Sequence, residues 1–222
     1  MSKVKRTLGP APCFLLGLVG LLGLHSEFAI IAVEEFLFSK KYNKFSITES
    51  VTHWIVVFFL WGLLALVLYY IAARVYGYDL IKKSNKPSVR GLVIALLLLS
   101  SSIGVKYILL GSWQMVLDFK QQGWFQFIFL YLYHLFEAAL LLLSAAFFQE
   151  GCEKLTKIRN EHIPWGGLIL ALTWGLSHFI TTGSVTTALF YTAVAFFIGS
   201  AYLAARKNLY FAYLFSVVLI AV

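Results

Sequence analysis

The chain holds ten acidic residues and five histidines among 222 residues, and those able to do chemistry fall inside long apolar stretches. A carboxylate or imidazole at bilayer depth costs several kcal/mol, roughly 2.5–3.5 for a central Asp, so each such residue is a site hypothesis. Glu27 and Glu34 are seven residues apart, about 10 Å along one helical face. Lys106 occupies the matching part of a later apolar run, and a buried Glu27–Lys106 ion pair or a snorkelling lysine is the expectation. His134 and Glu137 are three apart on one helical face and can hold one proton or one metal ion between them. An internal hydrogen bond explains that pair equally well. His178 follows Ile163 by fifteen residues, lies within an apolar run and needs a partner in the bundle. His53 and His162 fall near the ends of apolar runs and are expected to be solvated.

The elements that position these groups are membrane helices. Hydrophobic residues make up 60% of the chain and charged residues 13%, against about 45–50% and about 25% in soluble domains. Thr7–Ser26, Ser50–Ala73 and Ile163–Ala205 lack formal charge for as long as a bilayer core requires, about 20 helical residues. Helices are expected at 11–37, 51–75, 89–115, 124–149, 163–182, 184–205 and 208–222, bounded by polar, Gly or Pro punctuation. Hydrocarbon offers the backbone no hydrogen-bond partners, so the spans must be helical. The expected fold is all-α: a polytopic membrane bundle of about seven transmembrane helices in the cell membrane, with residues 1–222 as a single domain. No internal repeat or linker divides it.

The net charge of +8 comes in short basic clusters between apolar segments. That is the pattern of membrane orientation, so the bilayer and not nucleic acid is the implied partner. A cytoplasmic N-terminus puts the basic residues of Lys3–Arg6, Arg74, Lys82–Arg90, Lys154–Arg159 and Arg206–Lys207 inside, and leaves only Lys40, Lys41, Lys44, Lys106 and Lys120 outside or toward it. The first apolar stretch runs on through Phe28–Val33 and is expected to be retained rather than cleaved as a signal peptide. Cys13 and Cys152 form neither a disulfide framework nor a zinc spacing. Trp54, Trp113, Trp124 and Trp165 near helix ends read as interfacial anchors. Gly17, Gly20 and Gly23 give the first helix a face for close packing within the bundle.

The run Gln149-Glu150-Gly151-Cys152-Glu153-Lys154, then Ile163-Pro164-Trp165 and a helix ending Trp174-Gly175-Leu176-Ser177-His178, resembles the CPBP (Abi) family, which includes the CAAX prenyl endopeptidases. That family's first motif is Glu-Glu followed four residues later by Arg; here it reads Gln149-Glu150 with Lys154 in the Arg place. Its second motif, Phe-x-x-x-His, reads Trp174-x-x-x-His178. Its third, His-x-x-x-Asn, follows a glycine-bearing helix and a basic turn, matched here by Gly199 and Arg206-Lys207. Ser216 and Ile220 stand at the third motif's two positions. The resemblance covers residues 125–222, and residues 1–120 carry no matching motif.

The resemblance implies an intramembrane endopeptidase in which a glutamate activates water and histidines, with or without a divalent metal such as zinc, stabilise the oxyanion. Glu150 is then the base and His178 its partner, with Gln149, Lys154 and Trp174 in support. Glu150 lies 26 residues past Trp124, roughly 39 Å of helix against a core about 30 Å thick. It meets His178 only if the chain turns near Pro164, fourteen residues from each, and levels them. Glu137, deeper by position, is the alternative partner, and His134 and Glu137 form a separate polar cluster.

Two functions follow. One is an endopeptidase that cuts a membrane-associated peptide or lipidated protein. The other is an inactive relative that binds such a partner, as a bacteriocin-immunity or accessory membrane protein. A proton path through Glu27, Lys106, Glu137 and His178 defines a transporter alternative, but no broken-helix pairs or inverted halves accompany it.

Overall fold

A computed structural model describes residues 8–81, 85–157 and 163–221, with the side chains of 110 and 181 excepted. Lys3, Lys5, Arg6, Lys82, Lys83, Arg159 and His162, to which the sequence assigns a membrane side or a solvated position, lie outside the described residues. Among those described, the secondary structure is helical and no strand occurs.

Helix α1 (Pro10–Phe38) carries proline in its first turn, where the missing N–H has no intrahelical partner to lose. A tight turn over Tyr42–Lys44 reverses the chain into α2 (Ile47–Tyr70). A capping box starts α2: the Ser46 hydroxyl accepts from the Glu49 N–H while the Glu49 carboxylate accepts from the Ser46 N–H. A π turn over Ile71–Val75 extends α2.

Helix α3 (Val89–Leu110) ends earlier than the expected residue 115 because Gly111, at φ +68°, supplies the left-handed residue that terminates a helix. Helix α4 (Gln114–Thr156) is broken at Gly123 (φ 71°, ψ 171°). The expected start at Trp124 is therefore the start of its straight part, and its end lies past the expected 149. Then come α5 (Trp165–Leu170), a π turn (Ala171–Gly175), α6 (Leu176–Thr182), α7 (Val185–Ala204) and α8 (Leu209–Ala221).

Among the described residues, five helices are long and apolar enough to cross a membrane, and two shorter apolar runs, Trp165–Ile180 and Leu209–Ala221, accompany them. Large apolar side chains such as Leu22, Leu63, Leu66, Leu97 and Ile180 point outward, as a bundle solvated by lipid requires.

Helix α4 is the hub, packed against α1, α2, α5, α7 and α8. Leu140 through Gln149 are buried without interruption, which matches a helix enclosed on all sides. The face of Gly17, Gly20 and Gly23 meets Phe148, Ser144 and Leu140 of α4 and Leu64 of α2, so its use is packing inside the bundle. Gly167 and Gly199 bring α5 and α7 into backbone contact, since a Cβ on Gly167 would stand 3.0 Å from the Gly199 Cα. Trp113 and Trp124 are exposed at helix ends, whereas Trp54 is only 7% exposed and packs in the core, contrary to its expected place at an interface.

Candidate functional site

The α1–α2 hairpin assembles a buried ionic cluster. His53 has no solvent exposure. Its Nδ1 lies 2.7 Å from Glu34 Oε2 and its Nε2 lies 3.2 Å from Glu27 Oε1. Both ring nitrogens thus face carboxylate oxygens, and each of these two bonds must carry a proton, because two acceptors cannot bond to each other. The Tyr133 hydroxyl, from α4, donates to the same Glu27 Oε1 at 2.9 Å. Tyr42 lies edge-on to the His53 ring at 5.0 Å. Burial, and then the charge of Glu27, push the Tyr42 phenol up to about 12.

This corrects two expectations. His53 is not solvated: the turn at Tyr42–Lys44 folds α2 back along α1, so a residue near the start of α2 levels with the last turns of α1. Lys106 does not pair with Glu27. Its ammonium donates to the Ile220 carbonyl at 3.0 Å and sits 5.9 Å from the Phe190 ring centroid.

Glu27 also lines a cavity of about 820 Å³, within the size range of ligand pockets. His134, Glu137, Trp174, His178, Tyr191 and Ile220 contribute its deeper wall, and Tyr42 and Thr182 its wall at the 39–46 and 183–184 loops. Glu137 is 7% exposed, and its Oε2 lies 2.9 Å from His134 Nδ1. The Nδ1–H of His178 donates to the Trp174 carbonyl at 2.9 Å, and its ring stacks on Tyr191 at 3.9 Å. That bond leaves Nε2 as the lone-pair nitrogen of the neutral imidazole. The π turn over Ala171–Gly175 precedes His178 immediately, and Gly175 lets α7 approach there: a Cβ on it would stand 2.5 Å from the Thr192 Cα.

Glu150, Gln149 and Lys154 lie elsewhere. Glu150 accepts from the Tyr78 hydroxyl at 2.8 Å and pairs with Lys154 at 3.0 Å and with Lys207 at 4.0 Å. Lys207 also pairs with Glu153, and Lys154 donates to the Leu8 carbonyl. The Gln149 amide donates to Glu153 and to the Ile163 carbonyl, and its oxygen accepts from the Gly166 N–H. The phenol of Tyr78, in the loop after α2, is raised by burial, then by Tyr202 and Glu150. These bonds lace the start of α1, the 76–80 loop, α4, the entry to α5 and the basic turn before α8.

From Glu137 to Glu150 is thirteen residues, about 20 Å along α4. The hairpin does not level Glu150 with His178. Helix α4 ends at Thr156 and the next begins at Trp165, so Glu150 is six residues from its helix end (150 to 156) and His178 thirteen past its start (165 to 178). Those are about 9 Å and about 20 Å of rise. The residue set therefore divides: His134, Glu137, Trp174 and His178 share the cavity, while Gln149, Glu150 and Lys154 form a clamp at the other end. Ser216 is fully buried and donates to the Ala212 carbonyl of its own helix.

Among the described residues, no three His, Cys, Asp or Glu side chains are arranged to hold a metal ion. A zinc site needs at least three protein ligands, so the donor set does not fit the metal that the resemblance allows, and no chemistry below runs through one. Beyond the motif residues, the cavity adds Glu27, Tyr133 and Tyr191. Compared with known proteins, the chain matches no family model, no curated protein and no solved structure.

Proposed function

We propose that the chain is a CPBP-like intramembrane endopeptidase that admits a membrane-associated peptide or lipidated protein segment to the 820 Å³ cavity, with Glu137 in place of Glu150 as its base. The observation that carries this reading is that Trp174, His178 and Ile220, three positions marked by the family motifs, line one cavity with the buried Glu137. In the proposed membrane arrangement the two shorter apolar runs complete seven spans. The N-terminus is cytoplasmic and the cavity faces the outer end of the bundle.

The chemistry is metal-independent. Glu137, held by His134, takes a proton from water, and the hydroxide oxygen bonds to the scissile carbonyl carbon. His178 accepts the water's other hydrogen bond through Nε2. As the carbon–nitrogen bond breaks, the proton on Glu137 passes to the amide nitrogen, giving a carboxylic acid and an amine.

Ser216 and Ile220 favour a second reading, a relative that binds without cutting. Ser216 is bonded within its own helix, and Ile220 presents an alkyl group where an oxyanion donor would stand.

The test is a quenched reporter peptide with an apolar segment, offered to the full chain in nanodiscs. Cleavage by wild type and Glu150→Gln, with loss in Glu137→Ala and His178→Ala, supports the endopeptidase. Retention of uncut peptide by wild type, lost in Glu137→Ala, supports the binder. Neither cleavage nor retention by a folded wild type overturns both.

A further inference from the structure

The carboxylates at the cavity are arranged for a charged guest. Glu27 uses one oxygen, Oε1, for both His53 and Tyr133. Its Oε2 takes no hydrogen bond from the described residues, although Glu27 lines the cavity. Glu137 repeats the arrangement: Oε2 meets His134, while Oε1 takes no bond from them on a side chain that is nine-tenths buried. Each glutamate is oriented by partners on one oxygen, and the other oxygen has no internal acceptor role to fill.

The nearby cations are committed. Lys41 is paired with Glu35 at 3.0 Å, Lys106 bonds to the Ile220 carbonyl, and His53 stands between Glu34 and Glu27. With both its bonds protonated, the Glu34–His53–Glu27 group carries one net negative charge. A buried excess of negative charge is costly unless it meets a positive partner. Tyr133, Trp174 and Tyr191 also line the cavity, and aromatic rings attract ammonium groups.

We infer that the cavity recognises a primary ammonium on an apolar peptide, an amino terminus or a lysine side chain, held by Glu27, with Glu137 left to its role as base. This rests on the peptide reading above and names the substrate feature that it lacks. The ammonium donates a charge-assisted bond to Glu27 Oε2, and Glu27 serves binding, with His53 and Tyr133 as its positioning residues.

The experiment uses the full chain in phosphatidylglycerol nanodiscs and two fluorescent apolar peptides of one sequence, one with a single free lysine and a blocked amino terminus, the other with norleucine in the lysine's place. Wild type is expected to bind the lysine peptide at least tenfold more tightly. Glu27→Gln, which keeps the side chain's shape and its bond to Tyr133, should erase that preference while still binding the norleucine peptide, with melting curves reporting the fold. Equal affinity of wild type for the two peptides overturns the ammonium inference and leaves the peptide reading standing. Binding of neither peptide by folded wild type overturns both. Loss of the preference when phosphatidylethanolamine is added to the discs assigns the site to a lipid headgroup amine and overturns the peptide as its source.

Discussion

His53 and Glu34 meet at 2.7 Å across the α1–α2 hairpin, in a place without solvent exposure for the imidazole. With Glu27 on its other nitrogen, His53 ties together two helices that are also joined by the bond from Trp61 Nε1 to the Gly23 carbonyl. Removing one partner of such a buried pair leaves a charge uncompensated, at a cost of about 3–5 kcal/mol. His53→Ala should therefore lower the free energy of unfolding in detergent by that amount. The double variant His53→Ala, Glu34→Ala should cost less than the sum of the singles. Additive losses would show that the two residues do not communicate.

Glu150 serves the clamp, so Glu150→Ala should act on stability and not on the cavity. It deprives Tyr78, Lys154 and Lys207 of an acceptor, a loss of about 1–3 kcal/mol. Thermal melting should register the change, while peptide binding or cleavage per folded molecule stays at the wild-type level. Loss of peptide handling at unchanged stability would return Glu150 to the reacting centre.

Gly167 and Gly199 set the α5–α7 spacing by backbone contact. Gly167→Leu should separate the helices and cost about 1–3 kcal/mol or more, as overpacking does, and Gly104→Leu should be tolerated, since nothing lies within 4 Å of a Cβ there. Melting of the two variants side by side checks the comparison.

Cys13 is fully buried and Cys152 partly exposed at the same end of the bundle, where a Cβ on Gly151 would stand 3.2 Å from the Cys13 Cβ. A membrane-impermeant maleimide should label Cys152 from the cytoplasmic side of inverted vesicles and leave Cys13 untouched until denaturant is added. Labelling from the opposite side would reverse the proposed orientation.

The helical character and most helix bodies were legible in composition and spacing, because a chain with so few charges has only one way to satisfy its backbone in lipid. The helix ends were less so: Gly111 and Gly123 stop or break helices through left-handed backbone, and the apolar pattern runs past both. Glu137, His134 and His178 were visible as polar groups at depth. Motif order places Glu150 nearer than Glu137 to His178 along the chain, yet Glu150 is near the end of α4 and His178 well past the start of α5, so the cavity wall takes Glu137 instead. The Glu27–His53 contact joins residues 26 apart. Its clue was present in the two glutamates at a seven-residue spacing, a short loop, and a histidine about as far after the turn as Glu34 stands before it.

The break at Gly123 leaves a stretch from Trp124 to Thr156, about 50 Å of helix by its rise, which in the proposed membrane arrangement meets a hydrocarbon layer of about 30 Å. The stretch overshoots, and what overshoots is the clamp of Glu150, Lys154 and Lys207. The bundle therefore has one electrostatic joint in the dark and one in the wet. Electrolyte at the wet end screens the clamp over a Debye length of about 8 Å at physiological strength, while the His53 ring itself has no solvent exposure. Salt on one face of the membrane can slacken one end of this molecule and leave the other taut.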